Sequence, residues 1–372
     1  MTGLLGQPRV TDPAQRSPWP QVGQKDPTLA ALQSIAEMGY RPGMTFDVHA
    51  HCIPPSFRDW LERSGPAHGA KLLETAKGTC VRFDGGFTSG PMRDSLGDLE
   101  QRIADMDRME IEVQLLAGWV DLTGYDLAGR EGLSYSMAQN DFLAEEAGRE
   151  PSRLRPLATL PLQDAAAAAK ELERAMSELG MVGAQVATTV GPEWIDSAGL
   201  DEVWEAAEAL EAFVILHPMA PLSGVSLDRY FMDNSVGRPA ETTIALAGLI
   251  YSGVFDRFPA LRMCAVHGGG FIPFQIGRLD RGYRAKPELA ARDALRLPSE
   301  YLSLIYVDTV VHDPRVLRFL IDTMGAEHVL VGTDYPFEMG DEDPVALVDA
   351  VPELEPSQRE AILSGNAHRL LG

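Results

Sequence analysis

Two histidines one residue apart mark the first place where this sequence could do chemistry: Phe46-Asp47-Val48-His49-Ala50-His51. On a strand alternate side chains face the same way, so the two imidazoles project together and suit one divalent ion. Asp47, two residues before His49, is placed to orient an imidazole. Polar residues also end three later apolar runs: His217 in Ile215-Leu216-His217-Pro218, His267 before Gly268-Gly269-Gly270, and Asp334 in Gly332-Thr333-Asp334-Tyr335-Pro336. His49, His51, His217 and Asp334 together form a donor set of three nitrogens and one oxygen, compatible with Zn²⁺. His267 is then left unligated, free to move a proton near neutral pH. His68, His312, His328 and His368 read as structural or solvated, and Cys52 as buried packing. Phe46 and Phe337 are candidate walls for a flat substrate.

Residues so far apart in sequence need a scaffold that gathers strand ends on one rim. Apolar or β-prone runs at Met44–His49, Val113–Ala117, Arg155–Leu160, Gly183–Ala187, Phe213–His217, Leu261–His267, Leu304–Asp308 and Val329–Thr333 read as strands. Helical patterns separate them at Leu99–Met109, Ser136–Arg149, Asp164–Leu179, Asp201–Leu210, Pro239–Tyr251 and Pro314–Met324. Strand–helix alternation implies parallel strands, and this number of units closes into a (β/α)₈ TIM-type barrel with its site at the C-terminal rim. No Gly-rich dinucleotide loop follows the first strand, which counts against an open doubly wound sheet. Residues 1–43 read as an N-terminal extension: Gly6–Asp26 a polar, Pro-rich arm and Leu29–Met38 a short helix. Residues 44–372 read as the barrel, with an insertion at about 52–97 after the first strand.

The chain has 372 residues, with 32 Lys and Arg against 54 Asp and Glu, a formal charge of −22. Such acidity opposes nucleic acid and anionic membrane surfaces, which need an excess of cationic side chains. No apolar run approaches the roughly 20 residues of a membrane span, and no secretory h-region is present. The 3 cysteines are scattered, which argues against a disulfide framework. A cytoplasmic protein with reduced thiols is the expectation.

The stretches HGGGFIPFQIGRLDRGYR (267–284), YVDTVVHDPRVLRFLIDTMGAEHVLVGTDYPFEMGD (306–341) and SGNAHRLL (364–371) carry a resemblance. They resemble the metal-dependent amidohydrolase superfamily, and within it the decarboxylase branch typified by 2-amino-3-carboxymuconate-6-semialdehyde decarboxylase. The resemblance implies zinc on His49, His51, His217 and Asp334, His267 as acid/base, and Asp334 sharing in proton transfer. It implies a substrate-carboxylate arginine at Arg278, in some members across a homodimer, and a second in the insertion, where Arg93 in GPMRDSL is the nearest match. Strand four, Gly183-Ala184-Gln185-Val186-Ala187, lacks the lysine of binuclear relatives, which implies one ion per chain, zinc or else manganese. The sequence departs from the branch in reading HPM after strand five, where the branch has HPW, and in its added leader. The expected activity is non-oxidative decarboxylation of an unsaturated or aromatic carboxylic acid, carboxymuconate-semialdehyde-like or hydroxybenzoate-like. The alternative is hydrolysis of a lactone, an amide or a carbon–carbon bond.

Overall fold

Barrel strands and helices alternate from Phe46 onward, and each barrel strand runs parallel to the one before it. The structure, a computed structural model, describes residues 44–219, 222 and 226–371. The extension at 1–43, including the arm and helix expected there, lies outside the described residues. The barrel strands are β1 (Phe46–Cys52), β2 (Val113–Gly118), β3 (Leu154–Thr159), β4 (Gly183–Ala187), β5 (Phe213–His217), β6 (Arg262–Ala265), β7 (Ile305–Asp308) and β8 (Val329–Leu330). They form one 8-stranded sheet in chain order. Backbone hydrogen bonds close it: Val48 N–H donates to Val331 O (2.9 Å) and Asp334 N–H to His49 O (2.8 Å). The (β/α)₈ barrel expected from the alternation is the fold.

The main helices are α1 (Pro55–Arg63), α2 (Leu99–Arg108), α3 (Gly129–Ala147), α4 (Ala165–Glu178), α5 (Asp201–Ala209), α6 (Arg238–Tyr251), α7 (Ile272–Ala285) and α8 (Pro314–Met324). Local chemistry starts several of them. Asp98, Asp164 and Asp313 each accept a backbone N–H at the first turn of α2, α4 and α8, and Pro314 occupies the first position of α8. α8 then buries Leu317, Leu320, Ile321 and Met324, one stripe at helical spacing. Cutting Leu317 back to Ala would cost about 2–5 kcal/mol through the cavity it leaves.

Two apolar layers sandwich the strands. Phe46, Val48, Val113, Leu115, Phe213, Ile215 and Leu330 fill the barrel interior. Leu116, Leu154, Val186, Leu216 and Val307 face the helices. From β1 to α2 the chain detours through α1 and an antiparallel hairpin (Ala70–Thr75 with Gly78–Phe83), which builds its own small core with Tyr135 of α3. At the far end Asn366 donates to Ala326 O and Val329 O, pinning the last helix beside β8.

Strand β1 is not a regular strand. Asp47 pairs with Gln114 but Ala50 pairs with Leu116, so one extra residue bulges between them. The bulge leaves Val48 and His49 both facing inward and carries His51 inward after them. It also puts Asp47 on the opposite face from the histidines, toward α2.

Candidate metal centre

Five side chains from four strand ends meet at the C-terminal rim. Ring centroids of His49 lie 5.2, 5.1 and 5.2 Å from those of His51, His217 and His267. His51 and His217 are 4.8 Å apart and His217 and His267 are 5.4 Å apart. Asp334 sits among them, its Oδ1 3.4 Å from His49 Nε2 and 3.2 Å from His51 Nε2, its Oδ2 3.7 Å from His267 Nε2. One ligating atom from each of His49, His217, His267 and Asp334 falls within 4.8 Å of the others.

The chain turns sharply to deliver two of these groups. His267 and Asp334 both have left-handed backbones, each at φ 57°, an uncommon conformation for a non-glycine residue. For that reason β6 ends at Ala265, short of the strand expected through His267. Likewise β8 pairs only through Leu330 before the chain crosses to β1. Gly332 allows the crossing, since a Cβ there would stand 2.9 Å from Asp308 Cβ and 3.1 Å from His49 Cβ.

The hydrogen bonds fix which nitrogens are bare. His49 Nδ1 lies 2.7 Å from Asp308 Oδ2 and His217 Nδ1 lies 2.7 Å from Pro218 O. A carboxylate and a carbonyl only accept, so both rings carry their proton on Nδ1. Their Nε2 atoms are buried without a hydrogen-bond partner, as are both ring nitrogens of His51. The Nε2 lone pairs of His49 and His217 therefore face the Asp334 carboxylate without a proton of their own. Such an arrangement is costly unless a cation occupies it, and the residues fit a divalent ion by this measure.

Charges agree with that reading at Asp334, His217 and His51. Burial alone would raise the Asp334 carboxyl, but the surrounding His49, His267 and His51 hold it well below the usual carboxylate range. Burial, reinforced by His51, His49 and His267, pushes His217 well down and keeps it neutral. Burial also lowers His51. For His49 burial again favours the neutral ring, yet Asp334 and Asp308 outweigh it and the net shift is upward.

Other expected residues fare differently. Phe337 lines the site, its ring 5.4 Å from His51 and 6.1 Å from Trp119. Arg93 lies over Phe337 at 5.5 Å and pairs with Glu338 at 2.8 Å. Arg278 is exposed on α7 and has no hydrogen bond or ion pair among the described residues, since Arg58 takes Asp94, while Ser299 and Arg284 take Asp280. Phe46 is corrected: it is 1 % exposed, packs the barrel interior and starts β1, about 10 Å of strand rise below His49. It is not a substrate wall. Asp47 is also corrected, because the bulge turns it away and Asp308 orients His49 instead. Asp308 and Trp119 escaped the sequence reading. Both follow the rule that found the others, a polar or aromatic residue at or just past the end of an apolar strand.

With this geometry in hand, the chain belongs to the amidohydrolase family, which it matches over residues 46–372. It is 32% identical to the 2-amino-3-carboxymuconate-6-semialdehyde decarboxylase of Dictyostelium discoideum, over 88% of this chain and 92% of that protein. The 5-carboxyvanillate decarboxylase of Sphingomonas paucimobilis superposes with a TM-score of 0.75 at 25% identity, covering 88% of this chain and 99% of that one. A dihydroxybenzoic acid decarboxylase of Polaromonas, solved with bound manganese, shares the fold at TM-score 0.71 and 24% identity over 88% and 97% of the two chains.

Proposed function

We propose that this protein is a metal-dependent, non-oxidative decarboxylase of an aromatic or unsaturated carboxylic acid. The observation that carries the reading is the convergence of the unprotonated Nε2 atoms of His49 and His217 on Asp334, with His51 and an aromatic wall beside them. The named activities of the relatives point the same way. His49, His51, His217 and Asp334 would hold one ion, zinc first and manganese as the alternative with the same donors. Bound there, the ion would polarise a substrate oxygen and stabilise developing negative charge.

His267 is assigned the proton because it alone of the imidazoles is not fully buried, so its edge can meet a substrate. It holds that proton toward Asp334 Oδ2 and gives it to the carbon that loses its carboxyl. The carbon–carboxyl bond breaks, its electron pair stays on the substrate carbon, and the proton replaces carbon dioxide. Phe337 and Trp119 confine a flat ring. Arg93 offers a guanidinium on the same side to a substrate carboxylate.

Arg278 can serve that role only in a second subunit's site. Its surroundings suit a homodimer: Phe274 is 78 % exposed and lies 6.2 Å from Phe319, itself exposed. Residues 44–372 would be the catalytic unit and 1–43 an extension. No helix among the described residues is long and apolar enough to cross a membrane, and Cys52, Cys80 and Cys264 are free and buried. Both facts accord with a cytoplasmic enzyme.

The test is carbon dioxide release from a panel of hydroxybenzoates, aminobenzoates and muconate semialdehydes. Labelled water separates the rival. A hydrolase places solvent oxygen in its product and releases no carbon dioxide, and that result would replace the decarboxylase reading.

A further inference from the structure

Behind β1, on the face away from the site, lies a buried cation that forms no ion pair among the described residues. It is Arg102 of α2, 1 % exposed. A buried guanidinium is costly to keep, so what it touches matters. One arm donates to His51 O at 2.6 Å and another to Gln114 Oε1 at 2.7 Å. Its plane lies over Tyr335, 4.8 Å from the ring centre, and Tyr335 donates its hydroxyl to Asp105 of the same helix.

Gln114 passes the contact on. With its oxygen held by Arg102, its amide nitrogen donates to Asp47 Oδ2 at 2.8 Å. Asp47 also accepts from His49 N–H (3.0 Å), Thr333 N–H (3.0 Å) and Thr333 Oγ1 (2.6 Å). A positive and a negative group thus stand at the two ends of one amide, which hydrogen-bonds to both. The groups they grip are the amide of His49, the carbonyl of His51, and Thr333, the residue before Asp334.

The His49 amide lies inside the bulge, His51 stands just past it where pairing resumes opposite Ala117, and Thr333 is on the neighbouring segment that follows β8. We infer that Arg102, acting through Gln114 and Asp47, is a positioning residue that holds the bulge of β1 and so aims His49, His51 and Asp334 at the metal. The inference rests on the metal-site reading above. None of the three network residues touches substrate or ion. Their contribution is to replace ladder bonds with side-chain bonds that fix the angle of the donor backbone.

The experiment measures Zn²⁺ affinity by chelator competition, together with the melting temperature of the full chain with and without Zn²⁺. Gln114→Met, close in shape, cuts the relay without removing a charge. It should weaken Zn²⁺ binding by about 10-fold or more, and it should narrow the gap between loaded and metal-free melting temperatures. Arg102→Lys, which can keep the His51 carbonyl but not both arms, should fall between wild type and Arg102→Met. A merely structural role would lower both melting temperatures alike and leave Zn²⁺ affinity within twofold of wild type, and that result overturns the inference. If Arg102→Met fails to fold, Gln114→Met decides the matter. Wild type that takes up neither Zn²⁺ nor Mn²⁺ overturns the site reading and this inference with it. Wild type that binds, with variants that bind equally well, overturns this inference alone.

Discussion

Replacing Asp308 by Asn should damage the metal centre at least as much as replacing it by Ala, although Asn is the closer mimic. Asp308 is fully buried and its two oxygens have separate duties. Oδ2 meets His49 Nδ1 at 2.7 Å, while Oδ1 accepts from Gly268 N–H (2.8 Å) and Val310 N–H (3.2 Å). An amide has only one oxygen. Two backbone donors claim it, which turns the NH₂ toward His49 Nδ1 and forces the ring proton onto Nε2. The nitrogen that should face the ion would then carry a hydrogen. Ala merely removes the charge-assisted bond, worth about 1.5–3 kcal/mol, or roughly 10- to 100-fold in affinity at about 1.4 kcal/mol per decade. Metal-free protein titrated with Zn²⁺ against a chromophoric chelator reads the loss. Thermal unfolding of the metal-free variants checks that each still folds. If Asp308→Asn binds as wild type does, the tautomer argument is wrong.

Purified protein should contain about one divalent ion per chain by elemental analysis, and His217→Ala should release it; two tightly held ions would refute the mononuclear assignment. His267→Ala should retain the ion and the fold while turnover falls by at least about 100-fold, within the range for general acid–base groups. Loss of the ion along with activity would make His267 a ligand instead. Arg278→Ala should lower kcat/KM by roughly 10- to 100-fold, the worth of a charged hydrogen bond, with partial recovery in Arg278→Lys. An Ala variant that turns over a carboxylate substrate as wild type does would remove Arg278 from the site.

Much of the barrel was legible because the strands are short apolar runs, several of them followed by a polar residue, and helices such as α8 carry one buried stripe. His49, His51, His217, His267 and Asp334 stood out for the same reason: they interrupt apolar patterns where the chain leaves the core. What stayed hidden was orientation. Regular alternation places Asp47 with His49 and His51, and only the pairing of Ala50 with Leu116 reveals the extra residue. Asp308 closes β7 as Asp334 follows β8, but no spacing in the sequence ties it to His49, 259 residues away. Phe46 was misplaced because an aromatic residue near a motif says nothing of its height along the strand. The role of Arg278 is not legible from one chain, because it is exposed and has no hydrogen bond or ion pair among the described residues.

The bulge in β1 also divides the strand into two tracks with independent phase. Phe46 and Val48 keep time with the interior packing, while His49 and His51 keep time with the rim, half a pleat out of step. Substitutions below the bulge can therefore repack the barrel floor without rotating the imidazoles. Exchanges above it can likewise retune the rim without unsettling the floor. Deleting a single residue at 48–49 would merge the tracks and swing one of them to the wrong side. Along this strand, chain length is a stricter constraint than side-chain identity.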